Sequence, residues 1–231
     1  MIMSIVIPCF NNWNFTKACL DDLSYLPNDH ELIVVDNGST DDTRKNLEKS
    51  SAVNKYIRLD KNMGFGYAVN TGFSKASGKN LMTLNNDIRV KFNKDSWTKS
   101  IIEECGGNLI SPNLGILNKD FSFSKEIDYF VDSKYSYLSG WCLSSSRDNW
   151  DKLKLSDNGT HQEYFDERFF VYFEDTDLGF RARQLGINLK VLQIPVVHFG
   201  KQSSKNLNTY KLYTDSKKIF EEKWSNYEKS I

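Results

Sequence analysis

The stretch Glu31-Leu-Ile-Val-Val-Asp36-Asn37-Gly38-Ser39-Thr40-Asp41-Asp42 decides the fold. Its four consecutive apolar residues stop at an Asn-Gly pair, which predicts a strand buried on both faces followed by a tight turn. Ser39 and Asp42 then stand at capping-box spacing and predict a helix start. Toward the N-terminus, Ser4-Ile-Val-Ile-Pro8-Cys9-Phe10 is a second β-branched run, ending in the turn residues Asn11 and Asn12. Between the two strands, Phe15, Cys19, Leu23 and Leu26 recur at helical spacing until Pro27 ends the pattern. The first 50 residues therefore read strand, helix, strand, helix.

The alternation continues. A strand over Tyr56 to Leu59 leads into Asn62-Met-Gly64-Phe-Gly66, and a helix through Ala68, Val69, Phe73 and Ala76 closes at Gly78. A fourth strand, Asn80 to Leu84, runs into Asn85-Asn86-Asp87. Continuous apolar strands alternating with amphipathic helices predict an α/β fold, a Rossmann-like, mostly parallel central sheet flanked by helices. In such sheets ligands sit beyond the carboxyl ends of the strands. Pro8, Phe10, Asp36 and residues 85–87 each lie just past a strand, so they are expected to meet in one crevice.

The second half is less regular. A helix around 95–105 and a strand at 108–111 precede Asp120 to Val131, whose partial alternation predicts a small antiparallel piece. Tyr137 to Ser144 reads as one strand containing Gly140-Trp141. Ser156 to Glu163 reads as a polar loop beside the site, and 165–173 is densely aromatic. Glu174-Asp175-Thr-Asp177 opens a helix with acids in its first turn and arginines later, the order a helix dipole favours. A last strand, 189–197, ends at His198. From Leu207 onward, Leu212, Ile219, Phe220, Trp224 and Tyr227 form an apolar stripe, expected to pack on the domain or a second subunit, or to touch a membrane surface. The expected division is one domain over 1–205, with a donor half of about 1–90 and an acceptor half of about 91–205, and a helical tail over 206–231.

Composition narrows the classes. Thirty basic side chains balance thirty acidic ones, so the chain lacks the electrostatic attraction that nucleic-acid binding relies on. No window approaches a membrane-spanning helix and no basic-then-apolar leader stands at Met1, which predicts a cytosolic protein beginning near that residue. Cys9, Cys19, Cys105 and Cys142 have neither paired spacing nor scaffold density and are expected to be reduced thiols. His30 and His161 are expected at the surface. Lys201 and Lys205 are equally readable as diphosphate contacts or as a solvated pair.

Two acidic groups carry chemistry. Asp87, just past a strand, suits a hard divalent cation shared with phosphate oxygens, or else a plain Asx turn. Glu174, Asp175 and Asp177 stand beside an aromatic wall, where a carboxyl pushed up in pKa serves as a general base toward a hydroxyl; salt bridges to Arg181 or Arg183 are the competing structural reading.

Taken in order, Ser-Ile-Val-Ile-Pro-Cys-Phe-Asn, Val-Val-Asp-Asn-Gly-Ser-Thr-Asp, Asn-Met-Gly-Phe-Gly-Tyr-Ala-Val-Asn-Thr-Gly, Leu-Asn-Asn-Asp, Ser-Gly-Trp-Cys and Tyr-Phe-Glu-Asp-Thr-Asp-Leu-Gly-Phe-Arg resemble the family 2 glycosyltransferases of A-type fold, and most closely the rhamnosyltransferase-like branch, over about residues 4–200. The resemblance implies an inverting, metal-dependent transferase that moves a sugar from a nucleoside-diphosphate donor, with UDP or dTDP as carrier and rhamnose as a candidate sugar, to a glycan hydroxyl. Donor-binding residues would be Pro8, Phe10, Asp36, Asn62, Gly64, Asn85 and Asn86. Asp87 and His198 would hold Mn2+ or Mg2+, with Asn85 standing where the family has its first acidic metal-motif residue. Asp175 matches the catalytic base, while Trp141, Glu174 and Asp177 match acceptor-side positions. Trp141 is equally readable as ordinary core.

Two other classes compete. A sugar-phosphate nucleotidyltransferase would open with a glycine-rich phosphate loop followed by arginine and lysine, yet residues 8–16 contain neither glycine nor arginine. A catalytically silent sugar-binding module fits Asn85 but gives no reason for the acids at 174–177.

Overall fold

The computed structural model describes residues 1–157, 162–200 and 208–226. Strands β1 (Met3–Cys9), β2 (His30–Asp36), β3 (Lys55–Arg58) and β4 (Asn80–Leu84) alternate with helices α1 (Trp13–Leu23), α2 (Thr43–Leu47) and α3 (Phe65–Ser74). β1 runs parallel to β2 and β4, and β2 to β3. Side-chain alternation along β1 divides the core. Met3, Ile5 and Ile7 join α1's Cys19, Leu20 and Leu23 on one face, while Val6 joins Val69 and Phe73 of α3 on the other. Burial on both faces is why these strands read as near-continuous apolar runs.

The second half supplies β5 (Ile88–Val90), α4 (Lys99–Glu104), β6 (Asn108–Ser111), β7 (Leu114–Leu117), β8 (Phe123–Ile127), β9 (Ser136–Leu138), β10 (Cys142–Ser146) and α5 (Arg147–Lys152). A short hairpin, β11 (Ser156–Asp157) with β12 (Gln162–Glu163), is followed by α6 (Glu174–Gln184), β13 (Asn188–Val191), β14 (Val196–His198) and α7 (Thr209–Trp224). The main sheet has seven strands in the order β13, β6, β10, β4, β1, β2, β3. Within it only β10 runs antiparallel to its neighbours. β7, β8 and β9 form the expected antiparallel piece, and β14 pairs with β5. The architecture is the expected α/β fold, a mostly parallel central sheet flanked by helices.

Several local expectations change. Tyr137 to Ser144 is not one strand: the chain leaves β9 in the small sheet, turns at Gly140 and Trp141, and enters β10 in the large one. The run 189–197 likewise divides between β13 and β14, interrupted at Pro195. The capping box at Ser39 does not form. Ser39 instead accepts the Asn11 N–H through its hydroxyl and gives its own N–H to Asp36, so α2 begins only at Thr43. All four cysteines are free and buried. His30 is buried rather than at the surface, held by Asp29 and Thr98. His161, Lys201, Lys205 and Tyr227 lie outside the described residues.

The tail helix packs on the domain itself. Phe220 and Trp224 join Phe169, Phe173 and Phe180 in a third apolar cluster. Lys223 reaches Asp166 and Asp177, each at 2.7 Å. Among the described residues no helix is long and apolar enough to cross a membrane.

Candidate functional site

The expected crevice exists. Pro8, Phe10, Asn62, Gly64, Asn85, Asn86, Asp87, Trp141, Glu174, Asp175 and His198 all line one cavity of about 810 Å³ at the carboxyl ends of β1, β2 and β4. Two of the expected residues do not reach it. Asp36 is fully buried beneath the pocket, where its carboxylate takes hydrogen bonds from the Ser39 N–H, the Tyr56 hydroxyl and the Arg58 guanidinium. It holds the loop rather than presenting itself to a ligand. Asp177, also fully buried, accepts from Arg181 and Trp224 and pairs with Lys223, so its carboxylate is consumed in fixing α6 to α7. The competing salt-bridge reading is the correct one there.

The nucleotide-side wall is built from asparagines. Asn37, which sequence reasoning did not single out, gives its amide N–H groups to Asn62 Oδ1 and the Gly64 carbonyl, and its oxygen accepts the Met63 N–H. Gly64 has φ +93°, and a Cβ there would lie 2.5 Å from the Phe170 carbonyl oxygen, so only glycine lets the 62–66 turn close on the aromatic segment. Asn11, itself left-handed at φ 55°, accepts the N–H groups of Thr40 and Asp41 through its side chain. Loops after β1, β2 and β3 are thus tied into one rim.

At the end of β4, the β5 and β14 pairing places His198 opposite Ile88 and beside Asp87. His198 Nε2 lies 3.0 Å from Asp87 Oδ1 and 3.1 Å from Asn85 Nδ2. Nε2 either carries a proton toward Asp87 or accepts from the Asn85 amide; in the second case the imidazole nitrogen and the carboxylate oxygen face each other as two acceptors. Asp87 Oδ1 is buried with no hydrogen-bond partner. Two electron-pair donors at this spacing, one of them orphaned, fit a shared divalent cation. Among the described residues no three His, Cys, Asp or Glu side chains cluster as a complete metal site, so the protein would supply part of a coordination shell and a phosphate ligand the rest. Trp141 stacks on His198 with centroids 4.9 Å apart and planes 13° apart, which fixes the imidazole and leaves one indole face covered. Asn86 gives its amide to Thr16 of α1 and is buried.

The opposite wall begins at two consecutive left-handed residues, Tyr172 and Phe173, each at φ 68°. Such a conformation costs a non-glycine residue about 1–3 kcal/mol and is kept where surrounding packing over-determines it. Here it aims the first turn of α6 into the cavity. Asp175 accepts the Gly140 N–H at 2.8 Å and the Thr176 N–H at 2.7 Å. Gly140 is required for that approach, since a Cβ on it would sit 2.9 Å from the Asp175 Cβ. Burial raises the pKa of Asp175 above the ordinary carboxylate range despite those hydrogen bonds, and Glu126 adds to the rise. Glu174 is raised further, by burial and then by the charge of Asp175. Its Oε2 is buried without a partner.

Sequence reading missed Glu126 of β8, Tyr137 of β9 and Tyr213 of α7 on this cavity. They come from elements whose approach depends on long-range packing, and no local motif marks them. The expected loop, Ser156 to Glu163, brings neither of those two end residues to the cavity wall, and residues 158–161 lie outside the described residues.

Comparison with known proteins gives three findings. Residues 4–102 match the sequence model of the family described as "Glycosyl transferase family 2". The chain is 26% identical over 230 residues to the uncharacterized glycosyltransferase RP339 of Rickettsia prowazekii (strain Madrid E), covering 93% of this chain and 70% of that protein. It is 32% identical over 95 residues to the undecaprenyl-phosphate 4-deoxy-4-formamido-L-arabinose transferase of Proteus mirabilis (strain HI4320), covering 38% of this chain and 29% of that protein. Among solved structures it is similar in fold to S. aureus TarS 1–349 in complex with UDP, at TM-score 0.57 and 20% identity over 83% of this chain and 58% of that one. It is similar also to the mannosyltransferase PcManGT from Pyrobaculum calidifontis in complex with GDP-Man and Mn2+, at TM-score 0.59 and 18% identity over 82% and 54%.

Proposed function

We infer the reaction from one premise: through residues 4–102 the chain belongs to glycosyl transferase family 2. The reading is an inverting glycosyltransferase that takes a sugar from a nucleoside-diphosphate donor, UDP or dTDP first, and delivers it to a glycan hydroxyl. One observation carries it, namely that Asp87 and Asp175 open on the same cavity of about 810 Å³.

The donor's base and ribose lie against Pro8, Phe10 and the rim made by Asn37 and Asn62. The diphosphate points to Asp87 and His198. Those two side chains would hold Mn2+ or Mg2+, and the imidazole nitrogen in the set would favour Mn2+. When bound, the cation supplies Lewis-acid neutralisation of the diphosphate charge. Trp141 keeps His198 in plane.

Asp175 takes the proton of the acceptor hydroxyl as that oxygen forms its bond to the anomeric carbon. The bond from this carbon to the phosphate oxygen breaks, and the diphosphate leaves with the electron pair. One displacement inverts the anomeric configuration. The raised pKa of Asp175 suits it to a hydroxyl better than an ordinary surface carboxylate would. Gly140 and Thr176 orient the carboxylate, and holding donor and acceptor together in one pocket can lower the barrier by up to roughly 7–11 kcal/mol relative to free encounter. Glu174, protonated more readily than Asp175, offers the acceptor a hydrogen-bond donor.

The test is a panel of UDP-, dTDP- and GDP-sugars incubated with Mn2+ and glycan acceptors, reading nucleoside diphosphate release and the anomeric configuration of the product by proton NMR. Transfer with inversion supports the reading. Saturable donor binding with neither transfer nor hydrolysis marks a binding module instead.

A further inference from the structure

Hydrogen bonds link Asp175 to Gly140, Ser139 to Glu126 and Phe123 to Tyr213 along one wall of the cavity. Gly140 holds Asp175 through its N–H, and the preceding residue, Ser139, donates its hydroxyl to Glu126 Oε2 at 3.1 Å. Glu126 is exposed on β8 and faces the cavity. At the start of β8, Phe123 is half exposed, and its backbone N–H donates to the Tyr213 hydroxyl of α7 at 3.2 Å. One turn earlier on α7, Tyr210 is 79% exposed and also lines the cavity. Asp175, Glu174, Glu126 and the aromatic rings of β8 and α7 thus line the same cavity as Asp87.

Two properties of this wall define what it binds. First, its charged side chains are all carboxyls, and among the described residues no Lys or Arg lines the cavity. A phosphate or carboxylate on the acceptor would meet like charge along this wall. Second, Glu174 is more than nine-tenths buried, lines the cavity and has an oxygen with no partner in the protein. Buried polar atoms of this kind find a partner, and here the cavity is what they face. Carboxyls that accept or donate to hydroxyls, beside exposed aromatic faces that cover C–H surfaces, match the two-sided chemistry of a pyranose.

We propose that this wall is a subsite for an uncharged pyranose acceptor at least two sugars long: the reacting unit hydrogen-bonds Glu174 and Glu126, and the next unit stacks on Phe123 and Tyr210. The proposal rests on the transfer reading above and deepens it, since it names neutral sugars, rather than lipid phosphates or phosphorylated sugars, as the acceptors this wall favours. It also gives the tail helix a role in acceptor choice through Tyr210.

The experiment uses the full chain with Mn2+. Calorimetric titration with UDP, dTDP and GDP reads the donor half. Saturation-transfer NMR with methyl pyranosides and neutral disaccharides, alongside the same sugars as 6-phosphates and citronellyl phosphate, reads the acceptor half. Neutral disaccharides are expected to bind saturably, and their phosphorylated counterparts about tenfold or more weakly. Phe123→Ala and Tyr210→Ala, both at exposed side chains, are expected to weaken disaccharide binding about tenfold while nucleotide affinity stays within about twofold. Phosphorylated ligands binding as well as neutral ones, variants that leave disaccharide binding unchanged, or no neutral sugar binding at all would each overturn the subsite. Failure of every nucleotide to bind, with disaccharides still bound, removes the transfer reading and not the subsite.

Discussion

Asp87 Oδ1 and His198 Nε2 stand 3.0 Å apart, brought together from positions 111 residues distant by the pairing of β5 with β14. When Asn85 gives its amide to the imidazole, neither atom donates to the other, and this is the state in which the proposed cation would be shared between them.

Replacing Asp87 with Ala removes the orphaned oxygen and leaves the imidazole alone. Nucleoside diphosphate affinity measured by calorimetry with Mn2+ should fall by about tenfold or more, while the weak affinity measured with chelator should not change. His198→Ala should act in the same direction.

Gly140→Ala tests the placement of Asp175. The added Cβ would lie 2.9 Å from the Asp175 Cβ and 3.1 Å from Oδ2, so the carboxylate must shift. Turnover should drop by about two orders of magnitude, because misplacement near 1 Å costs that much, with nucleotide affinity unchanged.

The pH–rate profile should report the raised carboxyl. As the proposed base, Asp175 must be ionised, so kcat/KM should fall on the acid side at a pH above the ordinary carboxylate range. The negative charge of Glu126 contributes to that position. Glu126→Gln removes it, makes ionised Asp175 easier to form, and should move the acid limb to lower pH.

Glu174 should cost stability at neutral pH. Its folded pKa is raised, so the folded state binds the proton more tightly than the unfolded chain, and stability falls as pH rises from the ordinary glutamate pKa through the folded value. Glu174→Gln abolishes this titration. Its melting temperature should match that of the parent near pH 4 and exceed it at pH 8, measured by scanning calorimetry.

Trp224→Phe keeps the ring packing of α7 but withdraws the indole N–H from Asp177 Oδ1, which it holds at 2.9 Å. Leaving a buried carboxylate short of one donor should cost about 1–3 kcal/mol in urea unfolding.

How much of this was legible follows from where information resides. β1, β2 and β4 are buried on both faces and announce themselves as apolar runs, and turn chemistry at Asn37-Gly38 and Asn85-Asn86-Asp87 marks their ends. Asp87, Asp175 and their neighbours could therefore be placed on one crevice. Asp36 and Asp177 do not reach the cavity because Arg58, Lys223 and Trp224 from other elements and Arg181 from the same helix engage them, and a buried paired carboxylate looks the same in sequence as a reactive one. The break at Gly140-Trp141 was read through as strand because both flanks, β9 and β10, are extended; only their membership of different sheets separates them. Glu126 and Tyr210 carried no local signal. They matter because of what they face.

The proposed division of labour assigns Asp87 to the departing diphosphate and Asp175 to the arriving hydroxyl. The most direct measurement is Asp175→Asn assayed both ways, by Mn2+-dependent nucleotide titration and by sugar transfer with a donor the parent protein uses. The account predicts nucleotide affinity within about twofold of the parent and transfer reduced by about two to four orders of magnitude. Transfer at near-parent rates would contradict it.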